Sequence, residues 1–476
     1  MSTAIPLAAA EARVEAQSAG LRRELGMADI VLAQILFIVV PDFFGTAVKA
    51  GASHVVFWLL AIALFFIPQA IVVSHLNRLI PLEGGLYQWA RLGFGDATGF
   101  MVAWNLWLYV VLMVAGIGLL ATTYVAYAAG PALAWLGASK VAIGVATVAI
   151  VAALMIVSLL GLGVGKWVNN FGSVVTLGSL AVLIALPIAN AMRGGALPNR
   201  GFSLVMPRFS LFHLSAFSKM TFGALSGFEY IAIFGGECRN PGRTLARSVV
   251  ITAPVIALLY IFGTGAILSF VRPEDVNVIG PIPQALSIGL ASLGVVREVA
   301  PIAILLLLCN YLATYNLSFS ANARLPMVAG WDKLLPEWFT RLHPRRKTPV
   351  NSILFAGTMT VGVALAVLAG VREQEAFELL QVCAFTCYGL AYLVMFALPL
   401  AGFRREKLNV SVWLRAAAAS RFLVTLLFVA LSIFPIIDVE SRTAYTLKTV
   451  AVILGANLLG AGVLLAERRL TRRAAA

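Results

Sequence analysis

Two carboxylates stand where a lipid environment rejects them. Glu229 closes the segment Phe222-Gly-Ala-Leu-Ser-Gly-Phe-Glu229 inside an apolar run at 216–236, and Asp42 follows Pro41 inside a run at 27–47. A carboxylate at membrane depth costs about 2.5–3.5 kcal/mol on insertion scales unless it faces a cavity or a partner, so it marks a site by default. Such a group can carry a proton, hold an amine or close a buried ion pair. The residues around both acids weaken a helix. Gly223, Ala224, Leu225, Ser226 and Gly227 precede Glu229, and glycine lets another group approach the backbone closely. Val40, Pro41, Phe43, Gly45 and Thr46 surround Asp42, and proline removes a helical donor and clashes with the preceding turn. At a break, N–H groups of one half-helix and C=O groups of the other lose their partners. The first attract anions and the second attract cations. A zwitterion such as an amino acid can then be held at both ends by backbone, with side chains left to choose among substrates. Each residue also has a plainer reading. Asp42 caps the following half-helix, Glu229 joins a scaffold bond or a gate, and the glycines pack helices together.

Two further polar sets lie within apolar runs. Trp104, Asn105 and Tyr109 sit mid-run at 96–125, as a pocket wall or as aromatic packing. The run at 299–322 holds Asn310, Tyr311, Thr314, Tyr315, Asn316, Ser318, Ser320 and Asn322. Positions 311, 314, 315, 318 and 322 share one face at helical spacing, as a substrate or ion path or as inter-helix glue.

The elements that must carry these residues are membrane spans. The 476 residues are 61% hydrophobic and 12% charged, where a soluble chain carries about 25% charge. Runs of roughly 20 apolar residues, enough to cross the hydrocarbon core, recur about twelve times. They lie near 27–47, 54–74, 96–125, 141–162, 169–191, 216–236, 248–270, 299–322, 350–370, 377–401, 418–437 and 446–466. This composition predicts an all-α polytopic membrane protein. It divides into a tail at 1–26, a core at 27–401 whose halves are 27–191 and 216–401, two additional helices at 402–466, and a second tail at 467–476.

The net charge of +14 follows topology and does not call for nucleic acid. With alternating spans, one side receives Arg22, Arg23, Arg78, Arg91, Lys166, Arg239, Arg243, Arg247, Arg324, Lys333, Arg341, Arg345, Arg346, Lys347, Arg404, Arg405, Lys407, Arg415, Arg421, Arg468, Arg469, Arg472 and Arg473. The other receives far fewer, such as Lys140, Arg272, Arg297, Arg372, Arg442 and Lys448. This bias predicts both termini in the cytoplasm and the cytoplasmic membrane as location, with the loop 192–215 running against the rule. None of Cys238, Cys309, Cys383 and Cys387 falls in an outer loop, and Cys383 and Cys387 read as packing residues. His54, His75, His213 and His343 lie at loops or helix ends and read as surface or capping residues without zinc spacing. No cofactor is expected, and no phosphate-binding glycine loop with lysine supports ATP-driven transport. The interruptions at Pro41 and Gly223–Gly227 fall five spans apart. Two units of five spans have opposite topology, which is the pattern of an inverted-repeat transporter with a midplane site.

The chain resembles the amino acid–polyamine–organocation (APC) superfamily of permeases. Pro81-Leu-Glu-Gly-Gly-Leu-Tyr-Gln-Trp-Ala-Arg-Leu-Gly-Phe-Gly95 is similar to the family's connection between the second and third spans. Gly227-Phe228-Glu229 and Asn240-Pro241 resemble its sixth-span motif and the Asn-Pro beyond it. Arg324-Leu-Pro-Met-Val-Ala-Gly-Trp-Asp-Lys-Leu-Leu-Pro336 and Thr348-Pro349 resemble the segment leading into the ninth span. The resemblance covers nearly the whole chain. It implies a five-plus-five inverted repeat with broken helices 1 and 6 plus two extra helices. It also implies alternating access, with substrate carboxylate on N–H groups of helix 1 and amine on carbonyls of helix 6. The expected activity is secondary transport of an amino acid or related amine, by H+ or Na+ symport or by exchange. A polyamine or cationic-amine exchanger is the alternative, and an intramembrane enzyme or a non-transporting sensor is the reading from outside the class. The chain departs from the family at three places. No Gly-Ser-Gly-Ile-Phe occurs in span 1, Leu225 replaces an aromatic residue, and Thr176 stands where many relatives carry a lysine that substitutes for a bound cation. The substrate-binding candidates are therefore Val40, Pro41, Asp42, Phe43, Gly45, Thr46, Trp104, Asn105, Gly223, Ala224, Leu225, Ser226, Gly227 and Tyr311. Asp42, Glu229, Thr176, Asn316 and Ser318 are the candidates for coupling or gating.

Overall fold

A backbone in lipid must satisfy its own N–H and C=O groups, and helices do this within one segment. The structure, a computed structural model, obeys that rule nearly everywhere. It describes residue 16 and residues 21–475 apart from 81, 195, 196, 198, 200, 208, 209, 277–279, 292, 294, 295, 371, 372, 402–410 and 435–440. Among the described residues, ten helices are long and apolar enough to cross a membrane. In chain order they are span 2 (Gly51–Leu79), span 3 (Asp96–Ala129), span 4 (Lys140–Leu160), span 5 (Leu162–Met192) and span 7 (Pro241–Phe270). Span 8 (Pro301–Trp331), span 9 (Val350–Ala369), span 10 (Leu379–Ala401), span 11 (Val412–Ser432) and span 12 (Arg442–Arg469) complete them.

Spans 1 and 6 are each built from two short pieces. Span 1 is Met27–Ile38 followed by Asp42–Val48, and span 6 is Leu211–Leu225 followed by a 3-10 stretch at Tyr230–Glu237. The first half of span 1 packs against spans 5, 7 and 8, and the first half of span 6 against span 11 and the second half of span 1. Span 10 lies between spans 3 and 11. An amphipathic helix, Leu86–Phe94, joins spans 2 and 3.

Three sequence expectations need correction. Span 11 begins at Val412, so Arg421 lies inside the helix, fully buried, and not in a loop. Hydropathy treats arginine as a terminator, whereas here the faces of Phe65, Tyr392 and Phe396 and the Ser226 hydroxyl surround the guanidinium. Arg324 also leaves the loop tally, because span 8 runs on and buries it in an ion pair. His54 is buried at the start of span 2, its Nδ1 3.0 Å from the Gly51 carbonyl, and is not a surface residue. Cys383 and Cys387 are buried and unpaired.

Candidate substrate site

The two breaks face each other. A Cβ on Gly223 would collide with the ring of Phe43, and one on Gly227 would lie 2.5 Å from the Phe37 ring. The two halves of span 1 thus rest on the glycines of span 6, and only hydrogen side chains permit the contact. Gly227 also sits at φ +131°, in a region that L side chains rarely adopt. At the span 1 break, Val39 leaves the helix at φ −84°, ψ 83°, just before Pro41.

Tyrosines from distant spans satisfy the backbone groups freed by both breaks. The Tyr260 hydroxyl of span 7 donates to the Ile38 carbonyl at 2.7 Å and accepts the Val40 N–H at 3.2 Å. The Gly227 N–H donates to the Tyr392 hydroxyl of span 10 at 2.8 Å. Aromatic rings fill the space between the breaks. Phe37 stacks on Tyr230 at 4.4 Å, Tyr109 on Tyr388 at 4.3 Å, and Phe43 meets Phe385 edge-on at 5.3 Å.

Glu229 lies directly after the second break and is fully buried. The hydroxyls of Tyr388 and Tyr392 donate to its two oxygens at 2.5 Å, and the Gln69 amide of span 2 donates at 3.1 Å. One carboxylate therefore joins spans 2, 6 and 10 through neutral donors. Beside it, the Arg421 Nη2 donates to the Ser226 hydroxyl at 3.1 Å.

The sequence profile of the amino acid permease family matches residues 27–456. The chain belongs to this family. It is 27% identical over 364 residues to an uncharacterized transporter of Mycobacterium tuberculosis, covering 75% of this chain and 77% of the relative. It is 25% identical over 398 residues to a branched-chain amino acid permease of Bacillus subtilis, covering 76% and 80%. It is 24% identical over 241 residues to a probable agmatine/putrescine antiporter of Lactococcus lactis, covering 51% and 50%. The family and these relatives are transporters embedded in membranes.

Within this permease, the other candidates divide between the breaks and the scaffold. Val40, Phe43, Gly223, Ala224, Leu225, Ser226 and Gly227 meet at the breaks; Pro41, Gly45 and Thr46 continue the span 1 side and are buried. Asp42 opens the second half-helix of span 1, and its side chain lies outside the described residues. Trp104 and Asn105 are not brought to the breaks. The Trp104 indole donates to the Ala456 carbonyl at 2.9 Å and the Asn105 amide to Asn457 at 2.7 Å, both in span 12. Tyr311 packs edge-on against Tyr124 of span 3 at 5.4 Å. Thr176 accepts a hydrogen bond from the Asn310 amide, which links spans 5 and 8. The Asn316 amide donates to Asn169 at 2.9 Å, and Ser318 returns its hydroxyl to the Thr314 carbonyl at 2.8 Å while its own carbonyl accepts from Tyr230 at 3.2 Å.

Buried ion pairs cluster on the side that carries the N-terminal tail. Arg324 forms a two-toothed pair with Glu237, one tooth at 2.8 Å, with Glu83 at 3.8 Å. Glu83 in turn accepts the Gly236 N–H at 2.7 Å. Gly85 lies at φ +45°, and a Cβ there would come within 2.7 Å of the Ala232 backbone, which accounts for the paired glycines of the motif. Arg91 bridges Asp96 at 2.8 Å and Asp332 at 2.7 Å, and Tyr87 donates to Asp332 at 2.7 Å. Beside this cluster the tail segment pairs with the end of span 6: Glu24 and Leu25 N–H donate to the Glu237 carbonyl, and Arg239 N–H donates to the Leu25 carbonyl. The sequence missed Gln69, Tyr260, Tyr388, Tyr392 and Arg421 as site residues. The four-residue spacing of Tyr388 and Tyr392 and the lone arginine in an apolar run were the available signals.

Proposed function

We propose that this chain is a secondary active transporter that moves an amino acid or related amine by alternating access. The single observation that carries the reading is the opposed pair of breaks, with the glycines of span 6 seated against Phe37 and Phe43 of span 1 and backbone groups turned out of helical register on both sides. In this reading substrate lies between Val40–Thr46 and Gly223–Gly227, and Tyr109, Phe43 and Phe385 form its apolar walls. The tail-side lid is the gate that must open for release. The core at 27–401 does the transport and the helices at 402–466 support it, in the cytoplasmic membrane with both termini in the cytoplasm. Coupling is by proton or sodium symport or by exchange, with Asp42 and Glu229 as the ionisable groups.

A second reading, exchange of cationic amines, is favoured by those two acids and by the relative named as an agmatine/putrescine antiporter. Purified protein in liposomes, offered labelled amino acids and labelled polyamines with and without sodium or proton gradients, separates the two. Accumulated label that leaves chemically unchanged supports transport, and converted product supports an enzyme. Label that binds without accumulating supports a sensor. Asp42→Asn is expected to abolish uptake or its pH dependence; uptake unchanged from mildly acidic to mildly alkaline pH removes Asp42 from the mechanism.

A further inference from the structure

Arg421 is the most unusual side chain in the core. It lies in span 11, outside the two five-span units, and is wholly buried. A guanidinium stays protonated in any protein environment, so a full positive charge sits inside the membrane domain. Its hydrogen bonding does not explain its presence. Nη2 bonds to Ser226, while Nε and Nη1 have no hydrogen-bond partner. Aromatic faces surround it: it lies over Phe65, with Tyr392 at 4.9 Å, Phe396 at 5.1 Å and Phe222 at 5.9 Å. Ring faces attract a cation but carry no net charge. A buried cation with no anion to balance it is not tolerated.

The balancing anion is one residue away. Tyr392, whose ring faces Arg421, donates its hydroxyl to Glu229. The same hydroxyl receives the Gly227 N–H, while Arg421 itself holds Ser226. The two charges therefore grip the span 6 break from both ends, at Ser226 and at Gly227–Glu229. The other groups facing Glu229 among the described residues are neutral. They are Gln69 from span 2, Tyr388 and Tyr392 from span 10, and Tyr109 of span 3 beyond them.

We infer that Arg421 is a positioning residue that keeps Glu229 ionised and ties its charge state to the geometry of the span 6 break. With Arg421 present, a proton arriving on Glu229 leaves the guanidinium unbalanced, and the Ser226 contact is the one that can yield. Protonation and movement of the break are then one event. The consequence for transport rests on the transporter reading above, but the charge pair itself does not.

The test is chosen to need no substrate. Infrared difference spectra of the protein in lipid report the protonated-carboxyl stretch of Glu229, assigned by its loss in Glu229→Gln. The expected result at neutral pH is no such band in the parent, a band in Arg421→Gln, and none in Arg421→Lys, which keeps the charge. Thermal melting supplies the second arm. Glu229→Gln and Arg421→Gln each lower the melting temperature, and the double variant recovers part of the loss because neither charge is left alone. If Arg421→Gln does not fold but the double variant does, the pairing stands. A parent and Arg421→Gln with the same carboxyl band overturn it. So do melting losses that simply add, or a double variant that fails to fold like the single one. Failure of every uptake assay would remove the transporter reading and leave these outcomes unaffected.

Discussion

Replacing Arg324 by alanine is expected to open the tail side of the protein. The guanidinium is almost fully buried, pairs with both oxygens of Glu237, and stands 3.8 Å from Glu83. Removing one partner of a buried pair costs about 3–5 kcal/mol, because the remaining charge is left without compensation. Here the Glu237 carboxylate at the end of span 6 would remain without a cation, beside the Glu83 carboxyl of the span 2–3 connection. Opening the lid returns both to water, so the loss falls on the closed state. At about 1.4 kcal/mol per factor of ten, the ratio of open to closed states rises at least on the order of a hundredfold. Cys238 is a native reporter of that opening. It is wholly buried beneath the Leu25 pairing, and burial, followed by the nearby carboxylates of Glu83 and Glu237, pushes its thiol well above the ordinary range. Maleimides react with thiolate, so the closed state protects Cys238 twice, by cover and by protonation. In a background with Cys309, Cys383 and Cys387 replaced, Arg324→Ala is expected to raise the rate of Cys238 labelling by a large factor. Glu237→Gln is expected to fall in between. A melting curve confirms that each variant is folded. Labelling of Cys238 in Arg324→Ala within twofold of the parent refutes the assignment of this cluster as the gate.

Three further outcomes follow from the same geometry. Burial, then the neighbouring Glu237, holds the Glu83 carboxyl well above its usual range, so the native state binds a proton that the unfolded chain releases. Stability is then present below the ordinary carboxylate value and is lost as pH rises toward the raised one; Glu83→Gln is expected to flatten this decline in melting temperature, and parallel curves would refute it. Gly227→Ala meets a backbone at φ +131° and the Phe37 ring at 2.5 Å. It is expected to cost about 1–3 kcal/mol of backbone strain plus a similar overpacking cost, read as lower melting temperature and lost uptake; retained uptake would show that the close contact of the breaks is dispensable. Trp104→Ala loses the bond to Ala456 and is expected to lower the melting temperature while leaving the KM for substrate unchanged; a raised KM would return Trp104 to the pocket.

The breaks were legible in the sequence because their causes are local. Pro41 removes a donor where it stands, and Gly223 and Gly227 weaken the helix where they stand. The spans were legible for the same reason, since hydropathy averages over neighbours. What closes each break is not local. Tyr260 lies 220 residues from Val40, and Tyr392 lies 165 from Gly227. A tyrosine in an apolar run reads as interface or packing until its hydroxyl partner is known. Trp104 and Asn105 show the reverse error. Polar groups in mid-span do require partners, but the partner can be a neighbouring helix such as span 12 as readily as a substrate.

Arg421 sharpens the point. The apolar run at 418–437 already held it, yet the charge tally counted it as topogenic, the ordinary fate of an arginine near a span end. Its actual position is paid for by Glu229, which the sequence marked as costly but left without a partner. Each charge, read alone, is an anomaly in lipid; read together they are a neutral pair that spans 6 and 11 can bury at a tolerable cost. This gives span 11 a reason to stay docked on span 6 that apolar packing alone does not provide. In lipid, leucine faces are as well satisfied by acyl chains as by another helix. A helix outside the inverted repeat that holds one half of a buried charge pair cannot be indifferent to the movement of the break it faces.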